Sequence, residues 1–277
     1  MASETTRSHD ETHTIIIDGQ PLRLAIRSGD GIRTPLLLMN GIGINLEVLQ
    51  HFVDALDPAI EVIRFDVPGT GGSPAPTIPY RFSVLARLVA QMLNQLGYQQ
   101  VDVLGISWGG GLAQQFAFQY PERCRKLILV STGTGAIMVP GHPSALLKIS
   151  MPRRYQDPAQ MARIAGEIYG GKVRKQPELA RKFAETAHAG SRLGYLYQLL
   201  GPAGWTSVPW LHRIRQPTLI LHGDDDPLVP LANAKIMHRL IPHSKLYIFH
   251  GGHVGLGTSA QELAQVVDQF LSAPSPP

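Results

Sequence analysis

Short aliphatic runs alternate with segments of helical periodicity along most of the chain. Such runs are typical of parallel strands, because a strand covered by helices on both faces is apolar at nearly every position. Six of them lie at 35–40, 61–67, 101–106, 126–131, 217–223 and 245–251. Apolar residues at helical spacing occur near 45–56, 82–97, 110–120, 231–241 and 260–271. This order predicts an α/β fold with a doubly wound, mostly parallel sheet, whose sites form at the carboxyl ends of the strands.

The start of the chain follows a different pattern. The alternating segments "HTIII" and "LRLAIR" flank Asp18-Gly19. A turn of this composition commonly joins two antiparallel strands. We therefore expect a β-hairpin ahead of the parallel strands.

The interval between the fourth and fifth aliphatic runs breaks the alternation. It contains about 85 residues, which are punctuated by Pro and Gly and show helical periodicity. We interpret residues 136–210 as a helical insertion, a lid over the carboxyl edge of the sheet. The remaining parts, 1–135 and 211–277, then form one α/β core.

The composition bounds the class of protein. A chain of 277 residues with 44% hydrophobic and 17% charged residues can bury a sizeable core. We find no apolar run near the roughly 20 residues of a membrane span and no signal-peptide pattern, so we expect a cytoplasmic protein. The single cysteine, Cys124, excludes an internal disulfide, and we expect no metal site and no cofactor.

The net charge of +4 raises the question of a nucleic-acid partner. No basic run is interleaved with aromatic residues, and zinc-finger, RRM and helix-turn-helix signatures are lacking, so we expect none. The positive excess is concentrated in the insertion, which has ten Lys and Arg against four Asp and Glu. This excess indicates either a solvated face or a surface that meets something anionic.

The segment "VLGISWGGG" places a serine between a predicted strand and a predicted helix. So abrupt a corner forces its central residue into a sparsely populated backbone conformation. Gly105 and Gly109 remove side chains that would clash there. Ser107 is then exposed at a helix N-terminus, which favours developing negative charge. We predict that Ser107 is a nucleophile, the alternative being an ordinary glycine-rich turn.

A nucleophilic serine needs a base and an acid, which in this architecture follow it in the order acid, then histidine. "GDDDP" supplies three aspartates after a strand. We choose Asp226, because the third residue of the turn should face inward and Pro227 rigidifies that point. After the last strand we choose His253 over His250, because two glycines let it reach back over the sheet edge.

An oxyanion would be bound by two backbone N–H groups, one following the serine and one in the loop after the first parallel strand. We assign these to Trp108 and to Ile42 in "NGIG". The apolar insertion segments "AIMV", "ALLKISM" and "LGYLYQLL" suggest that part of the lid contacts substrate. Our candidates for that role are Leu146, Leu147 and Trp205.

These motifs resemble the α/β-hydrolase fold family. "NGIGINLEVL", "FDVPGTGGSPAP", "GAIMVPGHPSALL", "MPRRYQDP", "IYGGKVRKQPELA" and "GWTSVPWLHRI" are similar to intracellular poly(3-hydroxyalkanoate) depolymerases of the medium-chain-length type. The likeness runs from about residue 15 to 270 and includes the insertion. It implies a serine hydrolase that cleaves the esters of stored polyester granules in the cytoplasm. The family's nucleophile, acid and base fall on Ser107, Asp226 and His253.

Other functions fit the same three residues. Small-molecule carboxylesterases, carbon–carbon bond hydrolases and cofactor-free haloperoxidases share them, whereas epoxide hydrolases and haloalkane dehalogenases use an aspartate nucleophile. A non-catalytic binding protein on this fold is a more remote alternative. The preferred side-chain length of the polyester, endo or exo cleavage, and the oligomeric state are left open by the sequence.

Overall fold

An eight-stranded sheet forms the centre of the computed structural model, which describes residues 10–150, 158–186 and 190–274. The strands lie in the order β1-β2-β4-β3-β5-β6-β7-β8. Strands β3 to β8 run parallel, and β1 and β2 pair antiparallel at one edge. The strands are β1 Glu11–Ile17, β2 Gln20–Arg27, β3 Leu36–Met39, β4 Val62–Phe65, β5 Val101–Ile106, β6 Cys124–Val130, β7 Thr218–Gly223 and β8 Ser244–Phe249. The predicted doubly wound α/β sheet is confirmed.

Helices connect the parallel strands. Among the described residues they are α1 Gln50–Ala55, α2 Phe82–Gln95, α3 Trp108–Gln119, α4 Pro143–Ile149, α5 Pro158–Tyr169, α6 Gly171–Lys175, α7 Pro177–Thr186, α8 Arg192–Leu200, α9 Leu231–Leu240, α10 Gly255–Thr258 and α11 Ala260–Ser272. The helix predicted near 45–56 begins as a 3-10 turn over Leu46–Leu49. No helix in the described part of the chain is long and apolar enough to cross a membrane.

The predicted hairpin is confirmed at the antiparallel edge. β1 and β2 pair from Glu11 opposite Ile26 to Ile17 opposite Gln20. Asp18 and Gly19 join them with φ of 48° and 80°, the left-handed conformation that a tight two-residue turn requires.

The sheet is covered on both faces, which explains why its central strands are apolar throughout. β3 contributes Leu37 and Met39 to one buried cluster and Leu36 and Leu38 to the other. Residues of α2, α3 and α9 complete the first cluster, and residues of α1 and α11 complete the second. Alternate side chains of one strand therefore enter two separate cores.

Helices α4 to α8 lie between β6 and β7 in sequence. Their buried side chains form a third cluster that includes Ala165, Tyr169 and Tyr195. Leu228 and Val254, which follow β7 and β8, belong to the same cluster. The helices thus pack on the carboxyl edge of the sheet. The division into a core and a 136–210 insertion stays a prediction, and most of "MPRRYQDP" lies outside the described residues.

Candidate active site

Ser107 occupies the corner between β5 and α3 with φ of 53° and ψ of −117°. This conformation is rarely adopted by a residue with a side chain. The backbone is held there on both sides, since Ser107 N–H donates to the Val130 carbonyl at 2.8 Å and Thr132 Oγ1 donates to the Ser107 carbonyl at 2.7 Å. Strand β6 and the residues that directly follow it therefore hold the backbone of Ser107 in this conformation.

The two flanking glycines allow the corner to close. A Cβ atom at Gly105 would overlap the carbonyl of Gly109, and one at Gly109 would overlap the carbonyl of Met39. Helix α3 can start directly above the sheet only because both side chains are absent.

A continuous hydrogen-bonded chain links three side chains at the carboxyl edge. His253 Nε2 lies 2.9 Å from Ser107 Oγ, and His253 Nδ1 lies 2.8 Å from Asp226 Oδ2. Because a carboxylate only accepts, Nδ1 carries the proton and Nε2 is free to accept one from Ser107. The other carboxylate oxygen of Asp226 accepts from the N–H groups of Leu228 and Val229, each at 2.9 Å. Its orientation is thereby fixed.

The acid and the histidine of this hydrogen-bonded row of side chains are shielded from water. The side chain of Asp226 is 0% exposed and that of His253 is 5% exposed. Beside them, the buried His222 Nε2 donates to the Val229 carbonyl at 2.8 Å and lies 3.7 Å from Asp226 Oδ2. Burial lowers the pKa of His222, so this ring is neutral at pH 7.

The residues considered as alternatives to Asp226 and His253 make contacts outside this hydrogen-bonded chain. Asp224 pairs with His250 at 2.8 Å on the surface and accepts from the Gly251 N–H. Asp225 accepts from the N–H of Gly171 and from Arg174, each at 2.9 Å. The structure brings Ser107, Asp226 and His253 together and leaves the other two aspartates to fix neighbouring turns.

A cavity of about 330 Å³ opens beside Ser107. Its lining is almost entirely apolar and comprises Ile42, Phe82, Ser107, Trp108, Gly111, Thr132, Gly133, Gly135, Met138, Leu146, Ile149, Leu199, Pro202, Trp205, Leu228 and Val229. The two predicted oxyanion donors, Ile42 and Trp108, thus border the same space as the serine. Leu146 and Trp205 also line it, whereas the side chain of Leu147 is exposed. A smaller cavity of about 20 Å³ touches Ser107 from the side of His253.

Three residues near the site were not anticipated from the sequence. The backbone carbonyl of Tyr169 accepts from the backbone N–H of His253 at 2.7 Å. The Tyr169 ring is nearly parallel to the imidazole, with centroids 6.1 Å apart. Phe82 contacts Trp108 and Trp205 edge-to-face, each at 4.9 Å between centroids. Gln198 contacts the Trp108 indole. Only Gln198 left a signal, as a polar residue within the apolar "LGYLYQLL".

A sequence model described as the alpha/beta hydrolase fold matches residues 34–260. The chain belongs to the alpha/beta hydrolase fold family. Within this family the architecture is closely shared. A hydrolase from Pseudomonas aeruginosa superposes with a TM-score of 0.81 at 23% identity, covering 95% of this chain and 98% of that one. An enol-lactonase from Burkholderia xenovorans gives 0.80 at 20% identity, covering 94% and 100%.

Relatives found by sequence have named activities that the shared fold alone does not indicate. The chain is 52% identical over 258 residues to a poly(3-hydroxyalkanoate) depolymerase of Ectopseudomonas oleovorans, covering 93% of this chain and 91% of that protein. It is 28% identical over 254 residues to 3-oxoadipate enol-lactonase 2 of Acinetobacter baylyi, covering 88% and 90%. The predicted resemblance to depolymerases is confirmed by the first of these matches.

Proposed function

We propose that this chain is a serine hydrolase that cleaves the ester bonds of a medium-chain-length poly(3-hydroxyalkanoate). The observation that carries the proposal is the hydrogen-bonded chain from Ser107 through His253 to Asp226, which opens onto an apolar cavity. The 52% identity to a depolymerase over nearly the whole length of both chains supports the choice of substrate.

The proposed reaction is acyl transfer. Ser107 Oγ attacks the ester carbonyl while His253 Nε2 accepts its proton, and Asp226 stabilises the imidazolium that forms. The N–H groups of Ile42 and Trp108 bind the tetrahedral oxyanion. His253 then protonates the departing alkoxide, leaving a hydroxyacyl ester on Ser107. Water, deprotonated by His253, releases a 3-hydroxyacid or a short oligomer and restores the serine.

The two cavities suggest how the substrate is oriented. The leaving alcohol has to lie beside His253, because this residue supplies its proton. The 330 Å³ cavity is lined by Ser107 and by the two proposed oxyanion donors, so it receives the acyl unit. Its apolar walls fit an alkyl side chain, whose burial contributes about 0.8 kcal/mol per methylene.

A water-insoluble polyester has to be approached from its surface. Exposed apolar side chains on the 136–210 insertion include Ile137, Leu147 and Leu196. They would contact polymer at the entrance of the cavity, so we place the enzyme at polyester granules in the cytoplasm. The excess of basic residues in the insertion would favour an anionic granule coat.

Release of 3-hydroxyoctanoate from polyester granules tests the proposal. The parent protein should release monomer or oligomer, and Ser107→Ala should lower the rate to below about a thousandth of the parent rate while keeping its circular dichroism spectrum. Activity of Ser107→Ala within tenfold of the parent would contradict the mechanism. A panel of soluble esters and vinylogous diketones decides between functions, since higher kcat/KM on a diketone would favour a carbon–carbon bond hydrolase.

A further inference from the structure

Gln198 lies on α8, in the 136–210 insertion, yet it contacts both segments that carry the proposed oxyanion donors. Its side-chain Oε1 accepts from the N–H of Gly43 at 2.7 Å, and its backbone carbonyl accepts from the indole Nε1–H of Trp108 at 2.7 Å. The residue is 1% exposed. Both hydrogen bonds are therefore made away from water, where no solvent molecule can replace a lost acceptor.

The two contacts lie next to the atoms that matter for the reaction. Gly43 follows Ile42 directly, in a loop where Gly43 itself has a φ of 66°. Trp108 follows Ser107 and begins α3. Donors stabilise an oxyanion only when each lies about 2.7–3.1 Å from the position that the oxygen will occupy. A small shift of either segment would therefore reduce stabilisation of the transition state more than it would reduce binding of the ester substrate.

Helix α8 is itself fixed with respect to the core. Gly194 packs so closely on Gly69 that a Cβ atom on either residue would overlap the other's backbone. Ser191 Oγ accepts from the Gly194 N–H at 2.9 Å and caps the helix. Tyr197 donates from its hydroxyl to the Thr77 carbonyl at 3.3 Å. Gln198 thus contacts the two donor segments from a helix that has little freedom to move.

We propose that Gln198 is a positioning residue that sets the spacing between the Ile42 and Trp108 amides. The inference rests on the proposed function and adds to it that an insertion helix completes the oxyanion hole. Docking of α8 then determines whether the hole is competent, although neither donor belongs to the insertion.

Gln198→Met tests the inference, because it keeps the length of the side chain and removes the acceptor for Gly43. Two ligands separate a positioning role from a structural one. An alkylboronic acid forms a tetrahedral adduct with a nucleophilic serine and so requires the donors, whereas 1-octanol fills the cavity without an oxyanion. We expect kcat for p-nitrophenyl octanoate and the affinity for the boronic acid each to fall at least about tenfold. KM and the inhibition constant of 1-octanol should stay within about threefold.

Gln216→Met is the matched control. Gln216 is also buried and donates to two backbone carbonyls, those of Ala117 and Pro121, but it lies outside the site. Its substitution should lower the Tm and leave kcat per folded molecule and boronic acid affinity near the parent values. Should Gln198→Met show no cooperative thermal transition, Gln198→Asn keeps a buried amide and withdraws the oxygen by one methylene, with the same expected losses.

Two results would overturn the inference in distinguishable ways. A folded Gln198 variant whose kcat and boronic acid affinity match those of Gln216→Met leaves Gln198 without a positioning role, while the proposed function stands. A parent protein that neither hydrolyses the ester nor binds the boronic acid removes the proposed function, and the inference with it.

Discussion

At the scale of single residues, three consecutive aspartates show how backbone conformation determines which carboxylate contacts the histidine. Asp224, Asp225 and Asp226 have the same side chain, but the turn after β7 directs only Asp226 beneath His253. There the carboxylate is fully buried and accepts two backbone N–H groups. Asp224 is left facing His250 in solvent. Burial and fixed orientation, more than charge, distinguish the residue that can hold the imidazole.

Asp226→Asn should lower kcat by about 10⁴, because an amide at this position favours the wrong tautomer of His253. Asp224→Asn is the control, since it changes the same atoms two residues away on the surface. It should retain kcat within about threefold. Steady-state hydrolysis of a soluble ester measures both, and an inactive Asp224→Asn beside an active Asp226→Asn would show that we assigned the acid wrongly.

His222 gives a prediction about stability and pH. Burial lowers its pKa from the ordinary value of 6.5. Below about pH 6.5 the unfolded chain therefore binds a proton at His222 that the folded chain does not, and the free energy of unfolding falls as the pH decreases. His222→Gln keeps a donor for the Val229 carbonyl and does not titrate. In urea denaturation the parent should lose more stability between pH 7.5 and pH 5.5 than this variant, and equal losses would refute the assignment.

The sequence predicts some of these residues and not others for a physical reason. Ser107 is recognisable because its strained corner requires glycines at fixed offsets, which leaves a local pattern. Tyr169 and Gln198 act through contacts between segments far apart in sequence, and Gln198 lies 155 residues from Gly43. A polar residue within the apolar "LGYLYQLL" marks Gln198 as unusual, but no local pattern identifies the partner of either residue. Their roles become visible only when the packing of the insertion is known.

At the scale of elements, the insertion is joined to the site by backbone contacts as well as side chains. The carbonyl of Tyr169 at the end of α5 accepts from His253 N–H, and Gly171 at the start of α6 donates to Asp225. Gly170 and Gly171 both have positive φ, and a Cβ on Gly171 would overlap Gly252. This junction holds the histidine loop against the insertion.

Strands were easier to predict than the helices of the insertion. Each predicted parallel strand overlaps an observed one. Burial on both faces makes the apolar run continuous in the central strands, whereas β8, at the sheet edge, is only partly buried. Helices of the core carry a clear apolar stripe, as in α2 with its buried Leu85, Val89 and Leu93. Short helices such as α6 and α10 lack enough residues for a stripe. Their bounds are set by the loops on which they pack.

Two adjacent leucines on helix α4 allow activity on the polymer to be distinguished from activity on a soluble ester. Leu147 is 62% exposed, whereas Leu146 is 38% exposed and lines the cavity. Leu147→Asp should lower release of 3-hydroxyacid from granules at least tenfold and leave hydrolysis of p-nitrophenyl butyrate within about twofold. The reason is that this substitution changes only the surface that we expect to contact the polymer.

Leu146→Asp is the comparison within the same helix. Its carboxylate would enter an apolar cavity, where an unpaired charge is costly, so it should impair both substrates. Equal retention of both activities in Leu147→Asp would place the polymer contact elsewhere, and equal loss would mean that Leu147 serves folding.

At the scale of the whole molecule, the cavity is lined from both sides of the predicted division between the core and the 136–210 insertion. The core contributes Phe82, Trp108 and Thr132, and the insertion contributes Met138 and Leu199. The aromatic rings of Phe82, Trp108 and Trp205 join the two parts edge-to-face. Ser107, Asp226 and His253 all lie outside 136–210, whereas part of the cavity wall lies within it. Changes at lining residues of 136–210 that do not contact the proposed oxyanion donors should therefore alter chain-length preference without altering the reaction.

Leu199→Trp tests this separation. An indole ring at position 199 would occupy part of the cavity that we assign to the acyl chain. The kcat/KM for esters of long acyl groups should therefore fall, and that for esters of short acyl groups should not. Four methylenes distinguish octanoate from butyrate and are worth about 3 kcal/mol when fully buried. Losing room for two of them should lower the ratio of kcat/KM for the two p-nitrophenyl esters more than tenfold. Leu193→Trp places the same ring on the exposed face of α8 and should leave the ratio unchanged. If both variants kept the parent ratio, the acyl chain would bind outside the cavity.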